Sequence, residues 1–177
     1  MTDPELMACA AKGDEQAFGA IVERHKDALL NFFVRQNISH SDGQDLAQRT
    51  FLRIWRYRSR YSPKAKFTTF LFMIARQESI DFFRSEARRR EAMDGVAQEC
   101  EIQASERQGQ TESGADDGLL RAFRSLPDAM RSVVELVVMQ NLPQAEAAEI
   151  LGIPLGTVKS RLFHALRRLK EELPSRG

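Results

Sequence analysis

Basic and polar side chains recur at helical spacing near the end of the chain, between Leu155 and Glu172. Such side chains donate hydrogen bonds to base edges and phosphates, and a helix that carries them on one face fits the major groove of DNA. Phe163 on the same polar face needs an apolar partner, for which a thymine methyl group is one candidate. The predicted contact residues are Lys159, Ser160, Phe163, His164 and Arg167, flanked by Arg161 and Arg168.

Turn signals make this segment the second of two short helices. The first is predicted from Pro143 to Leu151, and Gly152 suits the left-handed position that ends a helix. Pro154 suits the first turn of the helix that follows. The pattern is typical of a helix-turn-helix, whose second helix enters the major groove. An ordinary pair of surface helices is the alternative, since basic surface helices are common. The stripe predicted to be buried is Val158, Leu162, Ala165, Leu166 and Leu169.

A second stretch combines aromatic rings with cations. Nine of the 14 aromatic residues lie between Phe51 and Phe83, interleaved with Lys and Arg. Aromatic faces beside cations suit single-stranded nucleic acid, where each stacked base contributes about 1–3 kcal/mol. A Phe-rich core with a solvated arginine face explains the same window equally well, so the window alone leaves both interpretations open.

The charges fall into two basic regions around an acidic one. The formal net charge is only +1, but residues 1–90 hold 16 Lys/Arg against 11 Asp/Glu, and residues 119–177 hold nine against six. Residues 91–118 hold one base and eight acids. Because this middle stretch is also poor in apolar residues, we predict a flexible acidic linker over 94–118. A linker of this kind lets two binding domains act on one DNA molecule.

Other chemistries lack the residues that they need. Cys9 and Cys100 lie far apart and in no Cys-x-x-Cys pair, so neither a disulfide framework nor a zinc site is expected. We expect no cofactor or metal at the two close Asp–Asp pairs, which fit a helix start and the linker. With neither a signal peptide nor a run of about 20 apolar residues, the chain is expected to be soluble and cytoplasmic. The two pairs are Asp42 with Asp45, and Asp116 with Asp117.

Helical periodicity dominates the chain, and no alternating strand pattern stands beside the turn signals. Ser41 or Asp42 is the predicted N-cap of the third helix. His25 is expected to be a satisfied, half-buried histidine rather than a metal ligand, and Arg131 and Glu135 to lie off the buried face of their helix. Besides the C-terminal pair, the predicted helices are about Asp3–Ala11, Asp14–Gln36, Gln44–Arg58, Thr68–Met93, Leu119–Leu126 and one that Pro127 opens. The predicted fold class is therefore all-α, with two small helical domains (1–93 and 119–177) joined by the linker.

Three stretches, in this order, resemble bacterial RNA polymerase sigma factors of the extracytoplasmic-function (ECF) group. DGQDLAQRTFLRIW (Asp42–Trp55) is similar to the family's helix that binds core polymerase. FTTFLFMIARQESIDFFR (Phe67–Arg84) is similar to the helix that melts the promoter and reads its −10 element. Ser125–Lys170 is similar to the domain that binds the −35 element, with GTVKSRL as its most specific part.

The resemblance implies a protein that is not an enzyme and that directs core RNA polymerase to promoters, with an anti-sigma factor as a further partner. It implies −35 recognition by the seven residues named above. It implies −10 recognition by the loop Tyr61–Phe67, as the pocket for an extruded base, and by the helix that follows. Gln44 and Arg49 stand where the family often has glutamates, so the polymerase-binding face is less acidic here. The implied polymerase contacts are Asp42, Asp45, Gln48, Phe51 and Trp55. The implied −10 contacts are Tyr61, Ser62, Lys64, Lys66, Phe67, Arg76, Gln77, Ile80 and Arg84.

Three other functions compete with this interpretation. A helix-turn-helix regulator would bind duplex DNA without polymerase, and a pull-down with core polymerase distinguishes the two. A DNA-processing enzyme such as a recombinase would need a nucleophile on an α/β scaffold, for which no strand pattern is present. A protein-interaction module would use its basic faces on an acidic partner, and filter binding to DNA tests that alternative.

Overall fold

The computed structural model describes residues 1–62, 66–94 and 116–173, and all regular structure in these ranges is helical. The predicted all-α class is confirmed. A 3₁₀ turn (Arg58–Arg60) follows the third helix, and a π-helix (Glu135–Met139) continues the sixth. The α-helices are α1 (Asp3–Ala11), α2 (Glu15–Arg35), α3 (His40–Tyr57), α4 (Phe67–Asp94), α5 (Asp116–Ser125), α6 (Asp128–Val134), α7 (Gln144–Leu151) and α8 (Leu155–Glu172).

Local chemistry explains where the helices begin. The Asp14 carboxylate accepts a hydrogen bond from the Ala17 amide at 3.0 Å and caps α2. Ser39 caps α3 in the same way, with its hydroxyl 3.1 Å from the Asp42 amide. The prediction of Ser41 or Asp42 as the N-cap was therefore wrong. Asp42 lies inside the first turn, where its carboxylate accepts a hydrogen bond from the Ser39 hydroxyl.

Prolines begin three helices of the C-terminal half. Pro127, Pro143 and Pro154 are the N-caps of α6, α7 and α8, as their spacing predicted. Gly152 ends α7 with φ +64° and ψ +35°, the left-handed conformation in which a β-carbon is disfavoured. Because only Gly152, Ile153 and Pro154 lie between these two helices, the connection is a tight turn, and α8 presents an outer face of its own.

The N-terminal lobe consists of α1–α4. Helix α2 packs on α1 and α3, and α3 packs on α4. Gly43 lets α3 approach α2 closely, because a β-carbon there would lie 3.2 Å from Cδ1 of Leu30. His25 is buried, and its Nε2 lies 2.9 Å from Oδ2 of Asp3, so it is a satisfied core histidine as predicted.

The C-terminal lobe consists of α5–α8, with α8 packed on α5, α6 and α7. Four of the five residues in the predicted apolar stripe are buried: Val158, Leu162, Ala165 and Leu169. The prediction for Leu166 was wrong, since this side chain is 46% exposed. At roughly 100° per residue, Leu166 lies about 70° around the helix from the centre of the other four. It therefore falls beside the basic face.

The two lobes pack against each other, mainly through α4 and α7. Arg131 and Glu135 are buried, so the prediction that they lie off the buried face was wrong. Glu135 is 1% exposed and accepts a hydrogen bond at 3.1 Å from Arg35 of the N-terminal lobe. Because Arg35 and Glu135 are 100 residues apart in the sequence, the local hydrophobic pattern could not predict that they pair.

Most of the predicted linker lies outside the described residues, and α5 begins at Asp116, before the predicted restart at Leu119.

Candidate nucleic-acid and partner interfaces

Helix α8 presents a basic face to solvent. Lys159, Ser160, His164, Arg167 and Arg168 are exposed, and Arg161 is half-exposed. Phe163 is 65% exposed although it is a large apolar side chain, and its ring makes a T-shaped contact with that of His164, at 5.5 Å between centroids. The buried stripe of α8 fixes the orientation of this face, so the side chains predicted for −35 recognition do share one surface.

The charges of this face suit a polyanion as partner, and its exposed Phe163 suits a partner that also presents apolar groups. No acidic residue lies in the first turn of α8, so the positive end of the helix dipole is not neutralised there. Nε of Arg167 lies 3.1 Å from Oε1 of Glu171, an exposed pair that contributes little to stability. Exchange of this carboxylate for another anion would therefore cost Arg167 little.

A second surface, here named the α4 surface, comprises Tyr61, Ser62 and Lys66 together with four residues of α4, which are Arg76, Gln77, Ile80 and Arg84. Tyr61 is half-buried, with its ring 5.5 Å from that of Phe70, and burial raises the pKa of its hydroxyl. Its neutral hydroxyl makes no hydrogen bond among the described residues. A recess of about 240 Å³ opens beside it, lined by Arg53, Tyr57, Arg60, Tyr61, Phe70 and Ile74.

The other predicted −10 residues have different surroundings. Lys64 lies outside the described residues. Phe67 is 2% exposed, in the core beside His25, so it supports the loop and presents no surface to DNA in this conformation. Arg76 and Ile80 line a cavity of about 370 Å³ between the lobes. Gln77 donates a hydrogen bond to Asp81 at 3.2 Å, and Arg84 is exposed.

An apolar groove of about 700 Å³ runs along the surface where α2 packs on α3, and both helices line it. Phe51 and Trp55, two of the residues predicted to contact polymerase, line this groove, although Phe51 is 6% exposed and belongs mainly to the core. The Trp55 ring lies 5.0 Å from that of Phe18, and the Arg58 guanidinium lies 3.7 Å above it. Gln48 is exposed at the rim.

The two acidic residues predicted as polymerase contacts are not in this groove. Asp45 is exposed on α3, and Asp42 is half-buried and engaged in the helix start. Both lie near the beginning of α3, whereas the aromatic residues lie in its second half. The structure thus brings together Gln48, Phe51 and Trp55 and leaves the two carboxylates outside the groove.

Sequence reasoning missed several residues of these surfaces. Leu52 is 48% exposed at the groove, and its spacing from Gln48 was the available signal. Glu78 is 6% exposed in α4, where it pairs with Arg53 at 3.2 Å and Arg49 at 3.4 Å. Buried acids of this kind depend on partners from another helix. Thr69 was also missed, and it is 1% exposed and hydrogen-bonded across the lobes.

Neither a candidate metal site nor a membrane-spanning helix is found in the part of the chain that the structure describes. Across residues 1–62, 66–94 and 116–173, no three His, Cys, Asp or Glu side chains are grouped so that they could hold a metal ion. No helix in these ranges is both long and apolar enough to cross a membrane. The candidate sites in these ranges are the basic face of α8, the α4 surface and the α2–α3 groove.

Comparisons with known proteins match both lobes. Residues 21–89 match the family model for Sigma-70 region 2, and residues 116–169 match that for Sigma-70, region 4. The chain is 28% identical over 177 residues to the ECF RNA polymerase sigma factor SigW of Bacillus subtilis, covering 92% of this chain and 91% of SigW.

Two solved structures share the fold over nearly the whole chain. CnrH, solved in complex with the cytosolic domain of CnrY, is 26% identical with a TM-score of 0.72 and covers 99% of both chains. RpoE from Bartonella quintana, solved with the anti-sigma factor NepR, is 26% identical with a TM-score of 0.73. That match covers 90% of this chain and 98% of RpoE.

Proposed function

This chain belongs to the ECF group of bacterial RNA polymerase sigma factors, and we propose that it acts as an alternative sigma factor through the three surfaces described above. It binds core RNA polymerase and directs promoter-specific initiation of transcription. The observation that carries this function is the presence of both sigma-70 regions in one chain, with α8 presenting an exposed basic face. It acts as a binding subunit, not an enzyme, in the cytoplasm, where polymerase and promoters are.

The proposed division of labour follows the predicted domains. Residues 1–93 bind polymerase and open the −10 element, residues 119–177 bind the −35 element, and 94–118 connect them. Helix α5 begins within the last three residues of that connection. A regulator acting without polymerase is the weaker alternative, because a lone helix-turn-helix needs no sigma-70 region 2.

For the −35 element, α8 lies in the major groove. Lys159, Ser160, Phe163 and His164 face base edges, where Phe163 covers apolar groups such as thymine methyls. Phosphate contacts fix the register of the helix without reading sequence. They come from the three arginines Arg161, Arg167 and Arg168.

For the −10 element, the α4 surface binds the melted strand. The recess beside Tyr61 holds an unpaired base, since Tyr61 and Phe70 offer ring faces and Arg60 offers a cation. Lys66 and Arg84 contact phosphates, while Arg76, Gln77 and Ile80 line the path of the strand. Ser62 precedes α4, and Phe67, the first residue of α4, is held in the core. Lys64 is proposed as a further contact to the strand.

For the polymerase, α3 supplies the contact. Trp55 and Leu52 enter an apolar site of the partner, and Phe51 fixes their helix from the core side. Gln48 and Asp45 add polar contacts along the exposed side of α3, and Asp42 lies at its first turn. Anchors of this type carry most of the binding energy of an interface.

An anti-sigma factor is the further proposed partner. CnrH was solved with the cytosolic domain of CnrY, and RpoE with the anti-sigma factor NepR. The α2–α3 groove, which is open and apolar, gives an inhibitor a place to compete with polymerase. Such competition switches the sigma factor off without a change in its DNA-binding faces.

Transcription in vitro tests the proposed function. Core polymerase, a promoter library and the purified full chain are expected to give transcripts that need the chain, and sequencing them reveals both promoter elements. Replacement of Lys159 and Phe163 by Ala is expected to weaken −35 duplex binding and to leave binding to polymerase intact. Equal loss of polymerase binding, or transcripts independent of the chain, would overturn the assignment.

A further inference from the structure

A buried carboxylate joins α4 to two arginines of α3. Glu78 is 6% exposed, and its Oε1 accepts a hydrogen bond from Nη1 of Arg53 at 3.2 Å. Its Oε2 lies 3.4 Å from Nη2 of Arg49, within the range of an ion pair. A carboxylate removed from water in this way depends on nearby cations, because an unpaired buried charge is costly. The three side chains therefore form one unit, here named the Glu78 cluster.

The cluster leaves Arg53 able to bind a further group. Arg49 and Arg53 are four residues apart on α3, so their like charges would repel each other without Glu78 between them. The Arg53 side chain is 40% exposed, and the bond to Glu78 is the only hydrogen bond that it makes within the described ranges. A guanidinium carries five N–H donors in a rigid planar fork. One contact thus orients Arg53, and most of its donors remain available to a ligand.

Arg53 also lines the recess of about 240 Å³ described above. Tyr57, which lines the recess as well, follows Arg53 by about one turn of α3. Ile74, from the opposite wall, precedes Glu78 by about one turn of α4. The recess and the Glu78 cluster are therefore consecutive parts of one seam between α3 and α4, and Arg53 belongs to both. Arg49, one turn earlier on α3, does not line the recess.

The polar groups around the recess are mainly hydrogen-bond donors. Arg53 and Arg60 can only donate, and the hydroxyl of Tyr61 is buried, so it is closed to a ligand. A guanidinium fork matches a base edge with two neighbouring acceptors. Guanine offers O6 and N7, and cytosine offers O2 and N3, whereas the edges of adenine and thymine alternate donors with acceptors. The recess therefore suits cytosine or guanine better than adenine or thymine.

We infer that Arg53 reads the edge of the unpaired base in this recess and that Glu78 positions Arg53, so that the site selects cytosine or guanine at one place in the −10 element. This inference rests on the proposed −10 role of the α4 surface. A phosphate would also match the guanidinium. The recess, however, sets the rings of Tyr61 and Phe70 beside it, 5.5 Å apart, and such rings bind the face of a base. Glu78 acts through Arg53 and contacts no base itself.

The test measures base preference in the holoenzyme. The probes are fluorescein-labelled single strands carrying the non-template −10 element recovered from the promoter library, with all four bases placed at each position in turn. At one position the wild type is expected to prefer cytosine or guanine over adenine and thymine by roughly fivefold to a hundredfold. Arg53→Ala is expected to reduce that preference to less than twofold. If no position shows this loss, the inference is overturned.

Arg49→Ala is the matched control, because it removes a guanidinium held by the same carboxylate on the same helix but outside the recess. It is expected to keep the wild-type preference, and an equal loss in both arginine variants would show a structural role instead. Glu78→Leu keeps a similar volume without an acceptor, and its preference is expected to fall between those of the wild type and Arg53→Ala. An unchanged preference would refute the positioning role. Because the preference is a ratio of affinities within one variant, weaker polymerase binding or lower stability does not alter it.

An abasic probe separates a base contact from a phosphate contact. With the selected base removed, the wild type and Arg53→Ala are expected to bind with equal affinity, and a persistent difference would assign Arg53 to a phosphate and overturn the inference. Transcription by the wild-type holoenzyme at library promoters tests the proposed function separately. Absence of chain-dependent transcripts would refute the sigma-factor role and the inference with it, whereas transcripts together with an unselective recess would refute only the role of Arg53.

Discussion

Phe163→Ala separates apolar contact from phosphate contact at the DNA-binding helix. Full burial of an aromatic side chain removes roughly 150–250 Å² from water. Phe163 is 65% exposed, so about 100–160 Å² remains to be buried, which at about 25 cal/mol per Å² corresponds to roughly 2.5–4 kcal/mol. A groove covers about half of that surface, which leaves an expected loss near 1–2 kcal/mol, or roughly fivefold to thirtyfold in affinity.

The assay is binding of the −35 duplex to the holoenzyme over a series of salt concentrations. Phe163→Ala is expected to lower affinity at every salt concentration and to leave the slope of log K against log salt unchanged, because every phosphate contact is retained. Arg168→Ala, as the phosphate control, is expected to reduce the magnitude of that slope by about 0.9 for each phosphate that is no longer neutralised. These two signatures distinguish the roles within one experiment.

A matched control comes from the same lobe. Val138 is 48% exposed on the π-helix, so Val138→Ala removes exposed apolar surface away from α8 and is expected to leave DNA affinity unchanged. Neither variant should shift the unfolding free energy by more than about 0.5 kcal/mol, as both positions are exposed. If Phe163→Ala bound the −35 duplex with wild-type affinity, or if its slope of log K against log salt differed from that of the wild type, the proposed contact with base-edge methyl groups would be refuted.

Three further predictions concern the α2–α3 groove, the buried Glu135 at the contact between the lobes, and the turn before α8. Leu52→Ala is expected to weaken binding to core polymerase by about 1–2 kcal/mol in a pull-down titration while −35 binding is retained, and unchanged polymerase binding would exclude the α2–α3 groove. Burial raises the pKa of Glu135, so protonation is favoured in the folded state. The contribution of Glu135 to the free energy of unfolding is therefore greatest at pH values below the ordinary pKa of a glutamate. This contribution falls as pH rises through the raised pKa, by at most about 1.4 kcal/mol per pH unit. Glu135→Gln should flatten this part of the profile of unfolding free energy against pH, and an unaltered profile would contradict it. Gly152→Ala is expected to cost about 1–2 kcal/mol in thermal unfolding because φ there is +64°, and no loss would argue against that turn.

Local signals in the sequence were sufficient to predict the helices and most of the residues at which they begin and end. Proline N-caps at Pro127, Pro143 and Pro154 and the left-handed Gly152 depend on the backbone within a few residues, so they could be predicted. The N-cap of α3 was misplaced because Ser39, Ser41 and Asp42 compete at that start and only geometry decides among them. The basic face of α8 was predictable for the same reason as its stripe, since helical periodicity fixes both.

Contacts between distant helices could not be predicted. Glu135 was expected near the surface, yet Arg35 meets it across 100 residues of sequence. Glu78 was not singled out, although it holds Arg49, which stands where the family often has a glutamate. Phe67 was expected at the DNA and lies in the core, because an aromatic-rich window does not say which rings turn inward.

The π-helix from Glu135 to Met139 contains about one more residue per turn than the α-helix that leads into it. Its last amide, at Gln140, is bonded to the Glu135 carbonyl oxygen at 2.9 Å, and this wide turn directs the Gln140 side chain toward Ala28. Deleting one residue here would restore α-helical register and swing Gln140 by roughly 100°. The contact between the lobes could thus change in evolution by single-residue insertion or deletion, without replacement of any side chain proposed to read the promoter.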